Sequence, residues 1–160
     1  MRTLGACAVL LTCLVAGCGG PATDPNRAPA DVDGLVTLLV ANDLDAAAFD
    51  AHSLLLKRDW LQVLVFVEDD GQSLQAIFPH TGRQAAVDPD RVARWNATRR
   101  FGRAYVDDDG LPVLASDLLL GDAVGPNTVV DWCRLILDMA AVYAVEVWPV
   151  PVPSPDPPNE

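Results

Sequence analysis

Two acidic stretches end in glycine, Glu68-Asp69-Asp70-Gly71 and Asp107-Asp108-Asp109-Gly110. Clustered carboxylates can hold a divalent cation, and paired ones can act as acid and base in hydrolysis. A calcium loop with Gly110 at its sixth position needs an oxygen ligand at its first and a bidentate glutamate at its twelfth. Tyr105 and Ser116 stand there instead, so an EF-hand is excluded. Residues 66–71 and 105–110 share one pattern: aromatic, Val, acid, Asp, Asp, Gly, each copy lying between two apolar runs. Asp-Gly suits hairpin positions that need positive φ, and extra carboxylates keep the tip in water. Both stretches are predicted to be turns.

Other reactive residue types are sparse. The two histidines are His52 and His80, and the pairs His52-Ser53 and Ser116-Asp117 are sequence neighbours whose side chains point apart on a strand. G-x-S-x-G, Walker, C-x-x-C and H-E-x-x-H patterns are missing. No catalytic residue, metal ligand set or cofactor is assigned. Cys133 falls on an apolar helical face and reads as a small buried hydrophobe; a redox sensor would need exposure and a lowered pKa. Arg91, Arg94, Arg99, Arg100 and Arg103 crowd one segment. They either neutralise nearby acidic turns or form a positive strip that docks an acidic segment or an anionic ligand.

Of the 160 residues 51% are hydrophobic, enough for one domain with a core. A formal net charge of −11 and a pI near 4.3 disfavour nucleic acid as a partner. Arg2 precedes an apolar run, residues 4–15, that is too short to span a bilayer. That run leads into Val15-Ala16-Gly17-Cys18, which resembles the lipobox of bacterial lipoproteins. The resemblance implies lipid attachment at Cys18, export, and anchoring to the cell membrane or outer membrane, facing periplasm or outside; an ordinary secretory signal is the alternative. Residues 18–30 read as a flexible tether, and residues 149–160 as an extended proline-rich tail.

The span between them, residues 31–148, is predicted to be one unit. Val32, Leu35, Val36 and Leu39 have helical spacing. Residues 54–56 read as a short strand after an ambiguous Ala-rich run, and 60–67 as a strand covered on both faces, paired with 73–78. Asp88 and Pro89 open a second helix, residues 103–106 and 113–120 follow as strands, and Asn127 or Thr128 starts a long last helix. On that helix Asp131, Arg134 and Asp138 form a thin polar seam. The rest is apolar, so cover beyond one sheet is expected, from a second subunit or a client.

Arg94-Trp95-Asn96, then residues 100–107 (RFGRAYVD), then Pro112-Val113-Leu114 with Asp117 and Leu118, resemble the YbjN family. Its members are described as bacterial sensory transduction regulators with a fold similar to type III secretion chaperones. The resemblance implies an α+β fold, a small antiparallel sheet packed with about three helices, and no agreed catalytic residues. Ala115 and Ser116 depart from the family's usual Glu and apolar residue.

These readings converge on a membrane-anchored, non-catalytic binding or regulatory module. Its expected partner is an envelope protein or a second copy, as in a homodimer. Arg91, Arg94, Arg99, Trp132, Ile136, Met139 and Tyr143 are the expected contact residues. The alternative is an envelope small-ligand sensor or hydrolase with a carboxylate-lined pocket.

Overall fold

The computed structural model describes residues 26–68, 71–79, 87–121 and 124–148. The expectations for Cys18, the signal segment, most of the tether, His80 and the tail lie outside them. Asp31 starts helix α1, Val32–Val40, by accepting the Gly34 N–H at 2.8 Å. Strands β1 (Asp45–Ala48), β2 (Ser53–Arg58), β3 (Leu61–Val67) and β4 (Ser73–Pro79) follow. Helix α2, Pro89–Thr98, is capped by Asp88 as predicted, the carboxylate taking the Asp90 N–H at 2.9 Å. Strands β5 (Arg103–Val106) and β6 (Pro112–Leu119) then precede helix α3, Pro126–Glu146.

The six strands form one antiparallel sheet in the order β1-β2-β3-β4-β6-β5. Asp107 to Gly110 form a turn, the Gly110 N–H reaching the Asp107 carbonyl at 3.0 Å; in the other stretch Asp69 and Asp70 lie outside the described residues, and the Gly71 N–H reaches the Glu68 carbonyl at 2.7 Å. Gly71 and Gly110 have φ of 63° and 78°, in the left-handed region where a side chain is strained. Asp107 closes its turn by accepting the N–H groups of Asp109 (3.1 Å) and Leu111 (2.7 Å). The acids shape backbone there.

Three expectations need correction. Strand β1, DAAA, was not predicted: its weak β propensity is overridden by pairing with β2 and packing under α1. Helix α3 starts one turn position earlier than Asn127, at Pro126 behind Gly125, with no side-chain cap. Strand β3 is covered on one face only. Its burial alternates along Leu61, Val63, Val65 and Val67, and Trp60 sits in the preceding turn, 62% exposed.

All three helices pack on one face. Val32, Leu35 and Leu39 of α1 and Trp95 of α2 join one cluster with Leu54, Leu56, Val63, Val65, Leu74, Ala76, Phe78 and Leu114 of the sheet. Helix α3 is the spine, burying Val129, Val130, Trp132, Cys133, Ile136, Leu137, Ala140 and Tyr143. Its polar seam meets water and two partners: Arg58 bonds Asp138 at 2.7 Å, and Arg134 donates to the Asn42 carbonyl at 3.1 Å. Most of the expected cover for α3 is therefore supplied within the chain, by the sheet below and α1 and α2 beside it, while Val142 and Val145 stay exposed. Ahead of residue 31, Ala28 is buried and donates its N–H to the Val124 carbonyl at 3.0 Å.

Candidate functional site

Among the described residues the other face of the sheet carries no helix. Strand registers align Ala47, Leu55, Leu64, Ile77 and Ala115 in one row across five strands, ending beside Arg103 of β5. Leu55, Leu64 and Ile77 are half-buried, Phe66 flanks them, and none joins the core cluster. Apolar side chains aligned on an uncovered sheet face are what a partner surface requires.

A second feature lies at the β5 end. Trp95 donates its indole N–H to the Gly102 carbonyl at 3.2 Å. Asn96 donates to the Ala104 carbonyl and accepts the Ala104 N–H, both at 2.8 Å. These bonds fasten α2 along the outer edge of β5. Gly102 is needed there for closeness: a Cβ would meet Leu114 Cδ1 at 2.8 Å and Met139 Cε at 3.1 Å. Below this junction a groove of about 740 Å³ opens between residues 99–103, the end of β6 and α3. Arg99, Arg100, Arg103, Phe101, Asp117 and Trp132 are among its lining residues.

The W-N pair, the tight glycine and the acidic hairpin thus act as one joint between α2, β5 and β6. A protein-family model of the "Putative bacterial sensory transduction regulator" YbjN matches residues 31–147. The chain belongs to the YbjN family. Its fold is similar to that of E. coli YbjN, "a putative transcription regulator", with 17% identity, a TM-score of 0.54, and coverage of 78% of this chain and 99% of the other. The type III secretion chaperone SycH of Yersinia pestis, solved with a fragment of YscM2, is 15% identical at a TM-score of 0.47, covering 68% and 98%. The ExoU-SpcU heterodimer of the Pseudomonas aeruginosa type III secretion system gives 13% identity, a TM-score of 0.42, and coverage of 67% and 94%. No curated protein matches the sequence significantly.

The expected contact residues divide. Trp132, Ile136 and Tyr143 are 8%, 2% and 0% exposed, and Met139 is half-buried against the core. Trp132, Ile136 and Tyr143 form the inside of the YbjN-type domain, because the sheet, α1 and α2 pack around α3, so in the folded chain they are not an open surface. Trp132 donates to the Ser116 hydroxyl at 3.3 Å, and Tyr143 meets Trp95 and Phe78 edge to face.

The arginines divide too. Arg91 reaches Asp88 and the Trp148 carbonyl, and Arg99 pairs with Glu146 while lying 5.2 Å from the Trp95 ring centre. These two follow the internal-compensation reading. Arg94, Arg100 and Arg103 make no ion pair among the described residues. The uncovered row was invisible in the sequence, since it depends on register.

Cys133 is buried, and burial pushes its thiol up to about 12, which favours the packing role over a redox one. Three described grooves have one lining carboxylate each: Asp117, Glu146 and Asp138. The facing pair that a hydrolase would need is not assembled in them.

Proposed function

We propose that the protein is a non-catalytic protein-binding and regulatory module of the cell envelope, held to a membrane through lipid on Cys18. The observation that carries the binding role is the one-sided sheet. Leu55, Leu64 and Ile77 present aligned apolar surface on which none of the described helices packs. Family membership supports a regulatory role. The lipobox-like sequence before Cys18 supports the anchoring part of the proposal.

The test uses the full chain in cells. Crosslinking followed by mass spectrometry is expected to yield a reproducible partner, or a second copy, whose crosslinks map to the Leu64–Ile77 face. Leu64→Glu and Ile77→Glu are expected to abolish those crosslinks while thermal melting confirms that the variants fold. Crosslinks unchanged in folded variants would remove this face from the function. The mass of the native product decides anchoring: diacylglycerol on Cys18, lost in Cys18→Ser, is expected, and an unmodified thiol overturns it.

A further inference from the structure

Strand β6 outruns β5. Their ladder ends at the Arg103–Ala115 pair, whereas β6 continues beside β4 to Leu119. Backbone direction alternates along a strand, and two bonds fix its phase here. Leu120 donates to Gln72 on the β4 side at 2.6 Å, and Asp107 donates to Leu111 on the β5 side at 2.9 Å. Asp117 and Leu119 therefore turn their N–H and C=O groups toward the β5 side, beyond the point where β5 has left the sheet. Among the described residues nothing pairs with them. By contrast, Asn96 already occupies the groups of Ala104 on the next edge.

This open edge is one wall of the 740 Å³ groove. The opposite wall holds Arg100 and Arg103, neither ion-paired among the described residues, in a chain of formal charge −11. Phe101, which lines the groove, is 65% exposed, and Leu119, next in sequence to the lining Leu118, is 76% exposed. An unpaired strand edge is matched by another extended backbone, alternate side chains of which enter the flanking pockets. Unpaired arginines select carboxylates.

We propose that this groove binds an extended, acidic polypeptide segment of a partner protein as an added strand beside β6, with acidic side chains on Arg100 and Arg103. A second copy fits poorly, because two-fold pairing of this edge sets both arginines against their own copies. The chain's own tail has proline at 149, 151, 153, 155, 157 and 158. Proline holds φ near −65°, short of an extended strand. The proposal rests on the protein-binding reading and adds the chemistry of one partner, at a place separable from Leu64 and Ile77.

A displayed library of linear ten-residue peptides, selected on the full-length chain, tests it. Enrichment of acidic sequences is expected, with at least tenfold weaker binding of a selected peptide to the Arg100→Glu/Arg103→Glu variant. Both arginines are exposed, so this variant should melt like the parent. Hydrogen exchange with the peptide bound is expected to slow at the amides of Asp117 and Leu119. No enrichment, neutral or basic sequences, binding indifferent to the arginines, or unchanged exchange at both amides would overturn the proposal. So would slow exchange at both amides in the free chain that is lost on deleting residues 149–160, which would assign the groove to the tail. Loss of cellular crosslinks in the sheet-face variants with peptide selection intact separates this site from the apolar row.

Discussion

Asn96 and Ala104 exchange two hydrogen bonds of 2.8 Å each, so one side chain of α2 takes the place of a neighbouring strand on the edge of β5. A short amide does there what a seventh strand would otherwise do. Asn96→Ala would leave a part-buried N–H and C=O of Ala104 without partners. Each lost bond costs about 1 kcal/mol, more where the group stays dry, so a loss of about 2–3 kcal/mol is expected in denaturant melts. Asn96→Asp keeps the acceptor but not the donor, and its loss is expected to be smaller. Equal stability of all three proteins would show that the clamp is idle.

The acidic hairpin tip gives a finer contrast. Asp107 accepts two backbone N–H groups, whereas Asp108 and Asp109 are exposed. Asp107→Ala is expected to cost about 1–2 kcal/mol, and Asp108→Ala less than about 0.5 kcal/mol, in the same melts. A comparable loss at Asp108, or an increase in melting temperature with millimolar calcium, would return the tip to the list of ion sites.

Gly102 sits where a methyl group has no room, 2.8 Å from Leu114 Cδ1 and 3.1 Å from Met139 Cε. Leu114 is buried and cannot simply swing away. Gly102→Ala is expected to cost about 1–3 kcal/mol through overpacking. Combining it with Met139→Ala is expected to recover part of that loss, a coupling that a double-mutant cycle measures.

Buried protons give a pH dependence. Burial raises the Cys133 thiol from 9.0 to about 12, and burial together with the Tyr105 charge raises Tyr143. Both groups hold their proton more tightly in the folded state. Their contribution is therefore fully present below about pH 9 and is lost as pH rises toward the folded values, at up to about 1.4 kcal/mol per pH unit for each group. Cys133→Ala is expected to flatten the fall in unfolding free energy between pH 9 and 11. A maleimide is expected to label Cys133 only in denaturant.

Much of the scaffold was legible because local chemistry and tertiary packing agreed. Asp88 and Pro89 announced α2, the Asp109-Gly110 turn fixed the tip between β5 and β6, and the β-branched run after Trp60 made β3 evident. Strand β1 escaped because three alanines carry almost no strand preference until Leu54 and Leu56 lie beside them. The candidate site was harder to read. Trp132, Ile136 and Tyr143 looked like spare surface on α3, since a linear pattern reveals how much of a helix is apolar but not how many elements converge on it. Which sheet face stays bare, and where β6 outruns β5, depend on pairing between residues some ten to forty positions apart.

Ala28 is bonded to Val124, just ahead of α3, while Trp148 follows the far end of that helix and stacks on Phe78. At 1.5 Å per residue a 21-residue helix is about 30 Å long. The chain therefore enters at one pole of α3 and leaves at the other, with the hydrophobic spine between them. A load applied through both termini would run along the axis of the helix instead of peeling strands from the sheet one by one. The domain is accordingly laid out as a strut, with whatever holds residue 26 set a fixed span away from whatever meets residue 148.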